Sequence, residues 1–259
     1  MNVEEIKRRA GPREFSPKDD LPEEYRKAAT RMLEFHANSE IMGAYLERPF
    51  VRKAPSLERK MAFSAKVQDE IGHGQLLYRA AESLGVKTRE EMLDDLAAGR
   101  GKFLNCFHYP MDEWVETPMI AFFVDGAAMR RQATLKRSSW EPYAHAMDKI
   151  CFEEGFHVKH GESILSELMN GSRKEREMTQ AAFERWWPRI RENDDGTYDV
   201  VEDDLDWGEF AAIARNEYEP GLDRINGRKQ AQEAVGWVRD VLDEGEARAA
   251  GGDTQQAAD

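Results

Sequence analysis

The segment Ala65-Lys66-Val67-Gln68-Asp69-Glu70-Ile71-Gly72-His73-Gly74 sets a glutamate three residues before a histidine, and Glu154-Gly155-Phe156-His157 repeats the spacing later in the chain. On a helix, positions three apart share a face, so one carboxylate and one imidazole can grip the same ion. One such pair is a weak signal, because a glutamate-rich chain produces it by chance. The distances to other acids are stronger. Glu40 stands thirty residues before Glu70, and Asp125 stands twenty-nine before Glu154. When two antiparallel helices meet at a turn, residues equidistant from the turn lie at one height. The midpoints fall at Pro55 and in the Ser139-Trp140 turn.

Proline and capping chemistry place those turns independently. A first long helix is expected after Pro22, ending about Glu47, with Pro49, Pro55 and Ser56 marking a connection and Ser56 as N-cap. A second runs from Leu57 to Leu84 and stops at Gly85. Thr88 with Glu91 caps a short helix ending near Gly99. A third long helix is read over Asp112–Arg137, and Ser138-Ser139-Trp140-Glu141-Pro142 turns into a fourth that ends at Asn170-Gly171. Ser172 with Glu175 caps a further helix reaching the Trp186-Trp187-Pro188 corner. Beyond it lie an acidic loop, Asn193–Asp206, with a short extended piece at Tyr198–Val201, and a helical region from Glu209 to about Glu246 broken near Pro220-Gly221. No strand alternation is evident. The expectation is all-α: a bundle of four long helices with additions, divided into an N-terminal arm (1–20), the bundle (21–190), an acidic loop with a C-terminal helical extension (191–250) and a disordered tail (251–259).

Packing the two hairpins together makes a cage of four carboxylates and two imidazoles. Two surface helices whose acids happen to align are the bland alternative. Local composition argues against it, since Asp125 sits in the apolar run Ile120-Ala121-Phe122-Phe123-Val124 and Glu40 precedes Ile41-Met42. A carboxylate there is expensive to bury unless it is paired or bound to metal. Oxygen and nitrogen donors without thiolate suit iron or manganese, and cellular supply favours iron.

At 259 residues with 41% hydrophobic and 34% charged composition, the chain reads as a soluble globular protein with a sizeable core. No apolar run approaches the roughly 20 residues of a membrane span, and Met1–Pro12 lacks a secretory core, so a cytoplasmic location is expected. The net charge of −13 argues against nucleic-acid binding. The acidic stretches read as a solubilising face ahead of an acidic docking patch. Cys106 and Cys151 lack Cys-x-x-Cys spacing, which sets aside a disulfide scaffold, zinc ribbon or iron–sulfur site.

The quoted segments, together with Tyr25-Arg26-Lys27, His36-Ala37-Asn38-Ser39-Glu40-Ile41, Val124-Asp125-Gly126-Ala127-Ala128, Tyr143-Ala144-His145-Ala146-Met147, Glu153-Glu154-Gly155-Phe156-His157 and Trp186-Trp187-Pro188, give a specific pattern. It resembles the catalytic A subunits of phenylacetyl-CoA ring 1,2-epoxidases, which are multicomponent ferritin-like di-iron monooxygenases. The likeness runs from about Leu21 to Pro188, with a second block from Asp206-Trp207-Gly208 to Trp237-Val238-Arg239 and a shorter connection between them than the family pattern.

The resemblance implies two iron ions held by Glu40, Glu70, His73, Asp125, Glu154 and His157. It implies activation of O₂ and epoxidation of the aromatic ring of phenylacetyl-CoA or a related aryl-CoA. It also implies a tight pair with a related helical structural subunit. Electrons would come from a separate reductase subunit using NADPH, FAD and an iron–sulfur cluster; the chain has no nucleotide-binding Gly-x-Gly-x-x-Gly within a βαβ pattern. A catalytic Lys66–Glu47 bridge carries over by resemblance, with an ordinary surface i,i+4 pair between Lys66 and Glu70 as the plain reading. Coenzyme A contacts at Arg31, Lys102 and Asn105 carry over likewise, with Arg31 and Lys102 as ordinary exposed charges the plain reading. Asp125 is a methylene shorter than glutamate, so its helix must approach the metals closely, in agreement with Gly126-Ala127-Ala128. Asp69 and Glu153, each four residues before a ligand histidine, are candidates to orient its second nitrogen. Phe103, Phe107, Phe122 and Phe123 are candidates for the ring pocket, or simply core. Rival readings are a ribonucleotide reductase radical subunit, with Tyr45 and Tyr78 as candidate radical sites, an iron-storage ferritin, and a non-catalytic structural subunit.

Overall fold

A computed structural model describes residues 2–191 and 232–240. The helices are α1 (Val3–Arg9), α2 (Glu23–Lys53), α3 (Leu57–Glu82), α4 (Arg89–Ala97), α5 (Asp125–Leu135), α6 (Glu141–Asn170) and α7 (Arg173–Arg191), and residues 232–240 are also helical. Among the described residues there is no strand, only an isolated bridge between Phe15 and Trp140. The architecture is the ferritin-like four-helix bundle expected: α2 packs along α3, α5 along α6, and α3 against α6 joins the two hairpins. No helix among the described residues is long and apolar enough to cross a membrane.

The α2–α3 turn is the three residues Ala54–Ser56, and the Ser56 hydroxyl accepts from the Arg59 N–H at 3.2 Å. The first helix does not end near Glu47 as expected; it continues through Pro49 to Lys53. Proline lacks the N–H that would bond the Tyr45 carbonyl. Arg48 supplies the missing donor, its guanidinium reaching that carbonyl at 3.0 Å, and the helix survives. Pro188 likewise lies inside α7 rather than at its end. Gly85 and Gly99 follow α3 and α4 with φ of +69° and +74°, where a Cβ would be strained. The capping box of Thr88 and Glu91 forms as read.

The third long helix differs most. Asp112–Arg137 is a 3₁₀ turn (Trp114–Glu116), a π-helical stretch (Met119–Val124) and then α5. The π turns end directly at Asp125, an instance of π-helical geometry gathering at functional sites. At Gly161 the α6 backbone presses on this stretch: a Cβ there would lie 2.6 Å from Ala121 C and Phe122 N.

The N-terminal segment is tied to the bundle. Phe15 is fully buried, and its main chain bonds Ser139 and Glu141 across the α5–α6 turn. The 232–240 helix lies against α2 and α4, where Trp237 meets Tyr45 edge-on at 6.4 Å and Arg239 reaches Glu90 and Asp94. The acidic loop with its Tyr198–Val201 piece, the Pro220-Gly221 break and the tail from Gly251 lie outside the described residues.

Candidate metal centre

One face of α3 carries Lys66, Glu70 and His73 at helical spacing, and all three are buried. Glu40 and Glu47 face them from α2, Glu154 and His157 from α6, and Asp125 from the start of α5. The structure brings all six expected ligands together. One donor atom from each of Glu40, Glu70, His73 and Glu154 lies within 4.8 Å of the others, and the same holds for Glu70, Asp125, Glu154 and His157. Glu70 and Glu154 belong to both quartets, so the set is two adjoining donor groups, each able to hold an ion, with two carboxylates in common.

The imidazoles point Nδ1 inward. His73 Nδ1 is 3.5 Å from both Glu40 and Glu154, and His157 Nδ1 is 3.2 Å from Glu70 and 3.3 Å from Glu154. Among the buried polar atoms without a hydrogen-bond partner are His73 Nδ1 and Asp125 Oδ2. Both face the cluster, where a metal ion would satisfy them. The donor set therefore fits two iron or manganese ions.

The outward Nε2 atoms are held by acids, but crosswise. His73 Nε2 is 2.9 Å from Glu153 on α6, and His157 Nε2 is 3.4 Å from Asp69 on α3. Sequence spacing pairs each acid with the histidine of its own helix; facing helices exchange them instead.

Electrostatics shows how much positive charge the site attracts. Burial raises the Glu40 carboxyl above its ordinary range, with Glu70 adding to it. Burial likewise drives Asp125 well upward despite Lys66. Glu70 resists burial because Lys66 and His157 hold it well below its usual value. Burial disfavours the imidazolium forms, yet the surrounding carboxylates outweigh it and raise both histidines, His157 to about 11. Lys66 is buried too; Asp125, Glu47 and Glu70 more than offset the cost of burial and keep it charged. Its ammonium lies 2.5 Å from Glu47, 2.6 Å from Glu70 and 3.1 Å from Asp125, the last close but not aligned as a hydrogen bond. Lys66 is thus no surface ion pair.

Beside the cluster is a cavity of about 50 Å³ lined by Leu104, Phe107, Ile120 and Val124 as well as the acids. Asn38 and Ser39 of α2 strap down its outer wall, Asn38 donating to the Lys102 carbonyl at 3.0 Å and Ser39 accepting from the Leu104 N–H at 3.1 Å. Of the four phenylalanines proposed for a ring pocket only Phe107 lines the cavity. Phe122 and Phe123 pack edge-on, Phe123 also meets Phe183 and Trp187, and Phe103 stacks on His108. Arg31 and Lys102 are exposed and Asn105 is buried in the 3₁₀ turn that carries Phe107; none of the three lines this cavity. Gly126 has open space before it, so the close approach near Asp125 is made at Gly161 and not there. Tyr78 bonds Asn38, Tyr45 bonds Glu233, and neither lines the cavity. Both cysteines are free thiols.

Sequence reasoning missed His36, Gln132 and Tyr143, which surround Glu40. His36 stands one turn before Glu40, and Gln132 two turns after Asp125, so the helical spacing that found the ligands also points to these two.

Fold and site together define a class: ferritin-like helical proteins with a buried carboxylate–histidine centre suited to two metal ions. Within that class, the phenylacetic acid catabolic protein family matches residues 1–199, and the chain belongs to this family. The A subunit of 1,2-phenylacetyl-CoA epoxidase from Escherichia coli (strain K12) is 44% identical over 177 residues, covering 68% of this chain and 57% of that protein. The chain thus matches a little over half the length of that curated relative.

Proposed function

We propose that this chain is the di-iron oxygenase subunit of an enzyme that epoxidises the ring of phenylacetyl-CoA. The observation that carries the reading is the pair of ion positions sharing Glu70 and Glu154 beside an apolar-walled cavity. Glu40, Glu70, His73, Asp125, Glu154 and His157 are the ligands. Two iron ions held by them would supply the reduction of O₂ and transfer of one oxygen atom to the ring, the other leaving as water.

The chain's own residues supply geometry and dryness. Leu104, Phe107, Ile120 and Val124 keep water from the side of the cluster that the ring would approach. Lys66 and Glu47 hold a compensated charge pair against the ligands. A cavity of about 150 Å³ admits benzene in a protein core, so this smaller one must widen for an aryl ring. Arg31, Lys102 and Asn105 are proposed contacts for the coenzyme A portion, where cations and an amide suit phosphate and thioester oxygens. The electron donor is a separate NADPH-dependent reductase carrying FAD and an iron–sulfur cluster, the structural partner a related helical subunit, and the location cytoplasmic.

The test is an assay with phenylacetyl-CoA, NADPH, the reductase and the partner subunit under ¹⁸O₂, with mass spectrometry of the product. One labelled oxygen in the product is expected; none, with iron fully loaded, rejects the reaction. A radical-carrying subunit is the second reading, supported by Tyr143, whose hydroxyl reaches Glu40 through His36. A tyrosyl electron paramagnetic resonance signal after O₂ exposure would favour it.

A further inference from the structure

We propose that His36 is a positioning residue that confines Glu40 to one-oxygen ligation of the ion on the His73 side, an inference resting on the two-ion reading of the cluster. His36 Nε2 lies 2.9 Å from Glu40 Oε1. The Gln132 amide nitrogen, from α5, approaches the same oxygen at 3.5 Å. The 3.3 Å between that nitrogen and His36 Nε2 is then the separation of two donors converging on one acceptor.

Tyr143 of α6 backs the imidazole from its other side. Its hydroxyl is 2.9 Å from His36 Nδ1, and its ring meets the imidazole edge-on at 5.9 Å. The Glu40 carboxylate can only accept, so His36 turns an Nε2 hydrogen toward it and leaves Nδ1 to accept from the Tyr143 hydroxyl. Donors from two helices therefore occupy Oε1, and Oε2 alone turns inward, 3.5 Å from His73 Nδ1. Glu40 cannot chelate with both oxygens or swing toward the second ion without breaking these bonds. Asp125, its counterpart at the His157 side, is held differently: its Oδ2 faces the Lys66 ammonium at 3.1 Å, a cation that an incoming ion must compete with. The two ion positions are consequently unequal, and the His73 side is the preorganised one.

The experiment is anaerobic Fe(II) titration of the full chain by calorimetry, with Mössbauer spectra of ⁵⁷Fe-loaded samples. Wild type should take up two ions in unequal steps. In His36→Ala the tighter step should weaken about 10–100-fold, the usual consequence of losing a group that holds a ligand, with one of two iron signals altered. His36→Gln, which keeps an amide donor one turn from Glu40, should restore much of the affinity. If His36→Ala fails to fold by circular dichroism, Tyr143→Phe removes only the hydroxyl that steadies the imidazole at Nδ1 and should weaken the same step. Two ions bound with wild-type affinities and spectra in a folded variant would overturn the role of His36 alone. Fewer than two ions in wild type would overturn the two-ion reading as well.

Discussion

Glu153 on α6 sits 2.9 Å from Nε2 of His73 on α3, so the imidazole that faces one ion position is steadied by the opposite helix. Lys149 grips the same carboxylate from one turn earlier. Carboxylates behind a ligand histidine fix its ring and raise its basicity, and losing one costs metal affinity about 10–100-fold. Glu153→Ala should therefore weaken the ion beside His73 rather than the one beside His157, its own-helix neighbour. Metal content after dialysis against a competing chelator, with the two positions told apart spectroscopically, reads this directly. A loss confined to the His157 side would contradict the crossed pairing.

Lys66 occupies space and charge that an ion on the His157 side would claim, since its ammonium contacts Glu70 and Asp125. In Lys66→Met the acids Glu47, Glu70 and Asp125 lose their cation, and breaking a buried pair in this way costs about 3–5 kcal/mol. Without added metal the variant should melt well below wild type. With saturating Fe(II) the gap should narrow, because the ions then neutralise Glu70 and Asp125 and no ammonium competes for them. Equal melting temperatures in the absence of metal would show that Lys66 is not holding the cluster together.

Both hairpin turns and all six converging side chains were legible because they depend on distances along one helix and on capping chemistry, which a sequence records. Ser56, Gly85, Thr88 and Gly171 bound helices about where their chemistry says they should. The crossed pairs Glu153–His73 and Asp69–His157 were not legible, because they depend on how α3 and α6 are rotated about their axes. Pro49 misled for a different reason: the carbonyl it leaves without a backbone donor is bonded by the Arg48 side chain, and the helix runs on to Lys53. The π turns before Asp125 left no pattern that periodicity detects, since an apolar run such as Met119–Val124 reads alike in either helix. Three of four phenylalanines fell outside the cavity because aromatic spacing alone does not distinguish a pocket from a core.

Gly161 and Gly155 make opposite predictions on one helix. A methyl at 161 would strike the backbone of Ala121 and Phe122 at 2.6 Å, and neither atom belongs to a side chain able to turn aside. Gly161→Ala should destabilise by about 1–3 kcal/mol and, by pushing the π stretch, displace Asp125 and weaken the ion beside His157. Gly155 has nothing within 4 Å of the same added atom. Gly155→Ala should stabilise the isolated chain by about 0.5–1 kcal/mol through helix propensity. Thermal melts of the two variants, with metal counts, suffice; a Gly161→Ala protein with unchanged melting would mean that α6 does not press on the π stretch.

Glu116 anchors α7 to the bundle from the 3₁₀ turn before the π stretch. One of its oxygens accepts from the Trp186 indole at 2.8 Å and from Arg185, the other from the N–H groups of Asp112 and Glu113. Burial alone would raise its pKa, but Trp186, the two backbone donors and Arg185 outweigh burial and hold it below the ordinary value. A carboxyl depressed on folding contributes its full stability above the unfolded pKa, roughly 4.3, and loses it as pH falls through the folded value. Glu116→Gln should cost about 1.5–3 kcal/mol at neutral pH, the usual worth of hydrogen bonds to a charged group, since Arg185 itself stays partly in water. That cost should shrink in acid, where wild type surrenders the same interaction. Urea unfolding of both proteins at pH 7 and near pH 3 measures it. An equal difference at the two pH values would show that the neutral form of Glu116 holds α7 as well as the carboxylate does.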